Sequence, residues 1–492
     1  MTKDDRQKIG ITKWIKANGV GTFNYVMRFG KTITALKIAQ KVDIQFPKAI
    51  TLVIVPSLAI KEVWKTAISK FEYKFNTNVA VRTIEEVLRA DVVITVKCLI
   101  IDELHKFVSG RRLKIVNGTI IKARYKIGLT GTYPYDNATI NKYYPIIDTI
   151  TEQEALNNNW ISKFLEYNIP LELTNADKAN YVKYSTIMQE ISSTFIGLNN
   201  VLSNPDKTPF FTSTLDLILS CYKGKNITGH KYVESRYIRE AIAVKMGWTP
   251  TLNLNDEYDK QVEEYWNPEA IKTRVTNYYK AMRARNDIHN INEVKLNAVL
   301  ELYKLYKNDV IITFSESTIF ADMLTDAINN TYDITKAVSY HSNIESKALI
   351  NFIDDNYFTT KGNKIKKFGS ARQLKYIISM IKLKVFNCIN TVKALDEGLN
   401  VDDINIVITT SGTSNPMQYS QRSARGKTID NYNKNKVTLI FNLYFDNFMY
   451  LHDGIYKEFK SRDKIKLMQR TVDRNINEFK LKEYIENACY VE

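Results

Sequence analysis

Short apolar runs rich in β-branched residues alternate with stretches of helical periodicity through the first 150 residues. This alternation limits the possible folds most strongly, because strands separated by crossover helices assemble into a parallel sheet. Candidate strands lie at 22–27, 51–55, 92–95, 99–102 and 125–130. A sheet covered by helices on both faces buries both sides of each strand, so its strands are continuously apolar rather than alternating. The run TLVIVP at 51–56 has that character.

Beyond residue 150 the pattern changes. Helical periodicity, many tyrosines and few strand signals between 151 and 290 predict a connector followed by a helical insertion. Alternation resumes at about 291, with helix patterns at 293–306 and 319–328 and strand-like runs at 309–315, 337–342, 384–389, 405–410 and 436–444. The last 45 or so residues read as helical and charged and are expected to pack back on that second unit. The expected architecture is α/β, with two parallel-sheet lobes at 1–150 and 291–446. A helical insertion at 151–290 separates them, and a helical extension at 447–492 follows.

A chain of 492 residues can bury two or three cores without disulfide or metal staples. Cys98, Cys221, Cys388 and Cys489 lie far apart with no CxxC pair, and the five histidines form no ligand-spaced cluster with them. A reducing compartment and no structural zinc follow. No stretch reaches the ~20 uninterrupted apolar residues of a membrane-spanning helix, and MTKDDRQKIG at the start lacks the apolar core of a secretory signal. A soluble, cytoplasmic protein without a membrane partner is therefore expected. The net charge of +16 attracts polyanions and favours nucleic acid as partner. The abundance of Asn, Ile, Lys and Tyr, as AT-rich coding produces, leaves a merely basic solvated surface open.

Three segments carry chemistry. YVMRFGKT at 25–32 sits between an apolar strand and an amphipathic helix. In a phosphate-binding loop, a glycine lets backbone N–H groups approach the phosphates, a lysine neutralises their oxygens and a hydroxyl binds magnesium. Gly30, Lys31 and Thr32 are placed for these roles, although Tyr25 stands where GxxxxGK[ST] has glycine. Lys31 lies 71 residues before Asp102, where the apolar run CLII ends in DELH at 102–105. A strand-terminal Asp-Glu pair suits magnesium-dependent phosphate chemistry, with one carboxylate orienting the metal and its neighbour activating water. An acidic strand end that merely caps the next helix is the alternative. GLTGT at 128–132 again ends an apolar strand, and by itself it is only a turn.

The order of these segments resembles superfamily 2 helicases and translocases of the DExH type, particularly phage-encoded and restriction-type members. Residues 28–32 match motif I of that family, VIVPSLAIKEVW resembles motif Ia, DELH motif II and GLTGT motif III. VIITFSES at 310–317 resembles motif IV, ALDEGLNVDDINIVI at 394–408 motif V, and QYSQRSARG at 418–426 motif VI. The resemblance covers both halves and implies two RecA-like lobes, with ATP and Mg2+ as cofactors. It implies that Arg28, Phe29, Gly30, Lys31 and Thr32 cradle the triphosphate, that Thr32 and Asp102 hold the metal, and that Glu103 activates water. Gln421 and Arg425 would reach the γ-phosphate from the second lobe, Arg425 as arginine finger, while Arg422 would hold the lobe interface. Gly398 and Asn400 would lie near the nucleotide, and Gln7 resembles the glutamine that reads adenine, with a solvated helix position as alternative.

Motif VI carries Ala424 and Thr428 where the family has glycine and a final arginine, with Lys427 adjacent. Arg28 and Phe29 replace small residues in motif I, and Asn400 stands where many members have aspartate. The family holds a nucleic-acid strand mainly by its phosphates, which makes Ser57, Ser315 and Thr391 hydroxyl candidates. IKTRVTNYYKAMRAR at 271–285 interleaves Lys272, Arg274 and Lys280 with tyrosines able to stack on bases, or packs those tyrosines in a core. Residues 361–384 hold eight basic residues and no acidic one, expected as a loop and strand edge facing phosphate. The expected activity is an ATP-dependent DNA helicase or translocase, acting in the host cytoplasm if phage-encoded. RNA as the substrate, or a nucleic-acid-binding scaffold with a decayed ATPase, are the alternatives.

Overall fold

The computed structural model describes residues 1–76, 79–90, 92–201, 268–332, 336–341, 370–392, 404–412, 414–427, 436–452, 454–470 and 480–489. The chain divides into two compact units. One comprises Met1–Leu171, Lys295–Tyr444 and Ile465–Glu492, and the other Glu172–Val294 and Phe445–Lys464.

The first unit holds two six-stranded sheets. The first sheet is built from β1 (Val20–Tyr25), β2 (Thr51–Val55), β3 (Val79–Thr83), β4 (Ile94–Ile101), β5 (Ile121–Thr130) and β6 (Ile146–Ile150), in the order β3-β2-β4-β5-β1-β6. All its pairings are parallel. β2 is buried at every position, as its continuous apolar run requires. Helices α1 (Lys3–Lys16), α2 (Lys31–Gln45) and α3 (Leu58–Lys70) accompany it. Ile11 and Trp14 of α1, Leu36 and Ile38 of α2 and Trp64 of α3 share one core cluster with Phe23, Val53 and Ile100 of the strands.

The N-terminus of α1 is fixed by a capping box. Thr2 Oγ1 accepts from Asp5 N at 3.1 Å, and Asp5 Oδ2 accepts from Thr2 N at 3.3 Å. One turn on, Arg6 pairs with buried Asp148 at the end of the sheet, with 2.5 Å between Nη1 and Oδ2. Asp148 also accepts from Lys13 Nζ at 2.6 Å and Tyr25 Oη at 2.7 Å. These donors hold its carboxyl below the usual range against the opposing effect of burial.

The second sheet contains β7 (Lys163–Leu171), β8 (Val310–Phe314), β9 (Ala337–Tyr340), β10 (Cys388–Thr391), β11 (Ile404–Thr409) and β12 (Val437–Phe445). Its order is β7-β12-β11-β8-β10-β9, with parallel pairing from β12 through β9. The architecture is that of two RecA-like α/β lobes.

Several local expectations are corrected. The runs at 92–95 and 99–102 are one strand, β4, because Val96 and Cys98 continue its buried face. The segments forming β3, β6 and β7 have their apolar runs interrupted by Arg82, by Asp148 and by Glu166 and Asn168, as suits strands at the sheet edges, and so do not read as continuous buried strands. β10 starts only at Cys388, after Lys384 turns the chain at φ 57°. Within 361–384, the described part is a helix, Ser370–Lys382, which buries Ile377 and Ile381 against the second sheet; 361–369 lie outside the described residues.

In the second unit, helices Asn175–Val201 and Pro268–Asn290 accompany a hairpin of β13 (Phe448–His452) and β14 (Ile455–Phe459), paired antiparallel. The tail expected to be helical therefore begins with a hairpin, turned at Gly454 with φ 75°. Its helices are Arg462–Arg470 and Leu481–Cys489. No described helix is long and apolar enough to cross a membrane.

Candidate functional site

Open parallel sheets present ligands at the carboxyl ends of their strands. In the first sheet β5 runs between β1 and β4. The turn after β5, carrying Thr130 to Thr132, is thus set between the loop after β1 and the acidic pair after β4.

The loop after β1 is shaped by two left-handed residues, Arg28 at φ 66° and Gly30 at φ 103°. Gly30 caps α2 at φ 103°, a conformation that favours glycine, and a Cβ there would also meet the Gln7 amide Nε2 at 2.9 Å. Lys31 opens α2 and donates from Nζ to Tyr25 O at 3.1 Å, spanning the mouth of the loop. Thr32 follows it, partly exposed. The Phe29 side chain is no ligand: it is fully buried, edge-on to Tyr25 and Trp160, which leaves only its backbone for a phosphate. Tyr25, where glycine was expected, is the last residue of β1 and plugs the core.

Gln7 is not solvated. It is buried against the loop, with Nε2 at 3.5 Å from Phe29 O and Oε1 accepting from Lys37 Nζ at 2.9 Å. Lys3, from the same helix, donates to Arg28 O at 2.7 Å and Trp160 O at 3.2 Å. Burial, with the charge of Arg28 beside it, lowers its ammonium to about 8.

Asp102 directly follows β4 and is buried. Its Oδ1 accepts from Glu103 N at 3.0 Å and its Oδ2 from Trp64 Nε1 at 2.7 Å. Burial, then the neighbouring charge of Glu103, raises its carboxyl to about 6, opposed by the Trp64 hydrogen bond and the charge of Lys31. Glu103 adopts φ 49° and ψ 55°, a left-handed conformation costly for a residue with a Cβ. Its Oε2 is buried without a hydrogen-bond partner and lies 3.5 Å from His105 Nδ1.

His105 Nδ1 lies 3.1 Å from Thr130 Oγ1, which donates to Thr132 O at 2.7 Å and accepts from Thr132 N at 3.1 Å. Because that hydroxyl proton is already used, the imidazole donates from Nδ1. Burial lowers the His105 pKa to about 4, with further lowering from Lys106 and Lys31, so the ring is neutral at pH 7. DELH and GLTGT are thereby joined by hydrogen bonds.

The second lobe contributes the helix Pro416–Ser423 and the turn after it. Gln421, Arg422 and Arg425 are all buried, and Arg422 stacks its guanidinium over Phe314 at 5.3 Å. Arg28 Nε donates to Ala424 O at 3.3 Å, so the loop after β1 touches the residue next to Arg425. Lys427 does not replace the missing arginine of motif VI. Its Nζ pairs with Glu152 at 2.5 Å and lies 3.7 Å from the Phe164 ring centroid. Thr428, Gly398 and Asn400 lie outside the described residues.

These groups fit a magnesium triphosphate. Gly30 holds the positive φ of the loop without a side chain, Lys31 supplies charge, and Glu103 presents a buried oxygen without a hydrogen-bond partner. No cluster of three or more metal-ligating side chains is found among the described residues, so a divalent ion would rest on Asp102, Thr32 and phosphate oxygens.

The residues expected to touch nucleic acid fare differently. Ser57 caps α3, accepting from Ile60 N at 3.4 Å. Ser315 and Thr391 are corrected. Both are buried with hydroxyls donated to carbonyls, Ser315 to Ser317 O at 3.0 Å and Thr391 to Tyr340 O at 2.7 Å, because parallel pairing puts these strand ends inside the second lobe. Lys272, Arg274 and Lys280 share the helix Pro268–Asn290, where Lys280 is exposed and Arg274 partly so. Tyr278 is buried, with its hydroxyl pKa raised by desolvation, so it packs rather than stacks on a base.

No protein-family model matches the sequence, and no curated protein matches it. Among solved structures, the Hef helicase domain of Pyrococcus furiosus is similar with a TM-score of 0.50 at 14% identity, over 89% of this chain and 94% of that one. The chain has the fold of a helicase domain. At 14% identity that likeness shows the fold alone.

Proposed function

We propose that the chain is an ATP-dependent DNA helicase or translocase of superfamily 2, of the DExH type and related to phage-encoded and restriction-type motors. The observation that carries this reading is the convergence of three loops at the carboxyl end of one parallel sheet. Gly30 and Lys31, Asp102 and Glu103, and Thr130 to Thr132 meet there, and His105 bonds the second loop to the third.

Bound ATP and Mg2+ would supply the phosphoryl group and the charge that neutralises it. Lys31 and the N–H groups at the start of α2 hold phosphate oxygens. Thr32 and Asp102 take the metal, and Glu103 accepts the proton of the attacking water. Gln421 and Arg425, brought from the second lobe, stabilise charge on the transferred group, and Arg422 braces that helix against Phe314. Gln7 would read the base, as the motif resemblance implies. Hydrolysis then depends on both lobes, which couples it to their relative movement along a strand.

The net charge of +16, the α3 N-terminus at Ser57 and the basic helix with Lys272, Arg274 and Lys280 support nucleic acid as the track. The preference for DNA rests on the motif resemblance. It is tested by measuring ATP turnover with single-stranded, forked and branched DNA and with RNA of the same sequences. Stimulation by DNA is expected. Stimulation by RNA alone would overturn the choice of polymer while leaving the motor intact.

A further inference from the structure

Trp64 is fully buried in the core formed by α2, α3 and the first sheet. A buried indole needs an acceptor for its N–H. The acceptor here is Asp102 Oδ2, at 2.7 Å, the carboxylate placed at the candidate metal position. With Glu103 N on the other oxygen at 3.0 Å, the carboxylate is held from both sides.

The helix bearing Trp64 has a second role available. α3 begins at its Ser57 cap, and Leu58 beside the cap is exposed to 69%. Seven residues, two helical turns, separate Ser57 from Trp64. A single rigid element therefore carries the segment assigned to nucleic acid at one end and the Asp102 hydrogen bond further along.

We propose that Trp64 is a positioning residue that orients Asp102 for magnesium and transmits nucleic-acid contact at the start of α3 to that carboxylate. The inference rests on the nucleotide reading of the site. Groups that orient a metal ligand typically contribute 10–100-fold to metal affinity.

Trp64→Phe keeps an aromatic ring in the core and removes the N–H donor together with the volume of one ring. The measurement is binding of a fluorescent ATP analogue as a function of Mg2+, with and without single-stranded DNA, alongside the melting temperature of each protein. The expected result is a rise of about tenfold in half-saturating Mg2+ and loss of the wild-type effect of DNA on that value, in a variant that stays folded with a melting temperature lowered only by the lost ring volume. Wild-type Mg2+ dependence in the variant overturns the inference alone. A tenfold rise with the DNA effect intact overturns the link through α3. Failure of the wild type to bind the analogue at any Mg2+ overturns the nucleotide reading and the inference together.

Should Trp64→Phe fail to fold, 19F spectra of wild type labelled with 5-fluorotryptophan provide the test, since there are only five tryptophans. The resonance displaced by Asp102→Asn should be the one that moves when Mg2+ and ADP are added to wild type. The absence of any resonance that responds to both overturns the proposal.

Discussion

Glu103 concentrates several unfavourable features in one residue. Its backbone is left-handed at φ 49°, its Oε2 is buried without a donor, and Asp102 stands next to it. A left-handed conformation costs a side-chain-bearing residue about 1–2 kcal/mol. Such costs persist where geometry serves function. Glu103→Gly should therefore raise thermal stability while sharply lowering turnover, whereas Glu103→Gln keeps the strain and lowers turnover alone. Paired melting and ATPase measurements check this, and a destabilised Glu103→Gly would contradict it. The positions of Lys31, Asp102 and Glu103 beyond the carboxyl ends of β1 and β4 were legible in the sequence because each follows an apolar run. Trp64 was not, because an aromatic residue in an amphipathic helix reads as core, which it also is. Ser315 and Thr391 misled for the opposite reason: a hydroxyl at a strand end gives no sign of which carbonyl it will meet.

Among elements, α1 shows how the site is framed. It brings Lys3 and Gln7 to the loop after β1, and it is pinned by Arg6 on Asp148. Removing one partner of a buried pair leaves the other charge uncompensated, at about 3–5 kcal/mol. Asp148→Ala should lower the melting temperature by several degrees and weaken nucleotide binding through displacement of α1; an unchanged melting temperature would show the pair to be dispensable. Gly10 lies in the same contact, where a Cβ would fall 2.0 Å from Tyr25 Oη. Gly10→Ala should accordingly be destabilising, by about 1–3 kcal/mol for overpacking, read from the same melting curves. The buried central strands were legible from continuous apolarity. β7 and the β13–β14 hairpin were not, since strands that bury little apolar surface carry little pattern.

For the whole molecule, the two-lobed arrangement separates the strand-end chemistry of the first sheet from the helix Pro416–Ser423 of the second. Arg28 on Ala424 and Lys427 on Glu152 are direct contacts between them. With a net charge of +16, phosphate contacts should dominate nucleic-acid affinity. Anisotropy titrations between 50 and 200 mM salt should then show affinity falling by a factor of about 10³ or more for a footprint of six or more phosphates. Affinity insensitive to salt would contradict a phosphate-tracking surface. The central claim is tested most directly by ATP turnover, in the presence of single-stranded DNA, of wild type and Glu103→Gln prepared in parallel. Wild type should turn over ATP clearly and the variant should lose about 10²–10⁴-fold, with nucleotide binding retained. Equal background rates in both would show that the convergent loops bind without catalysing, and the motor would be contradicted.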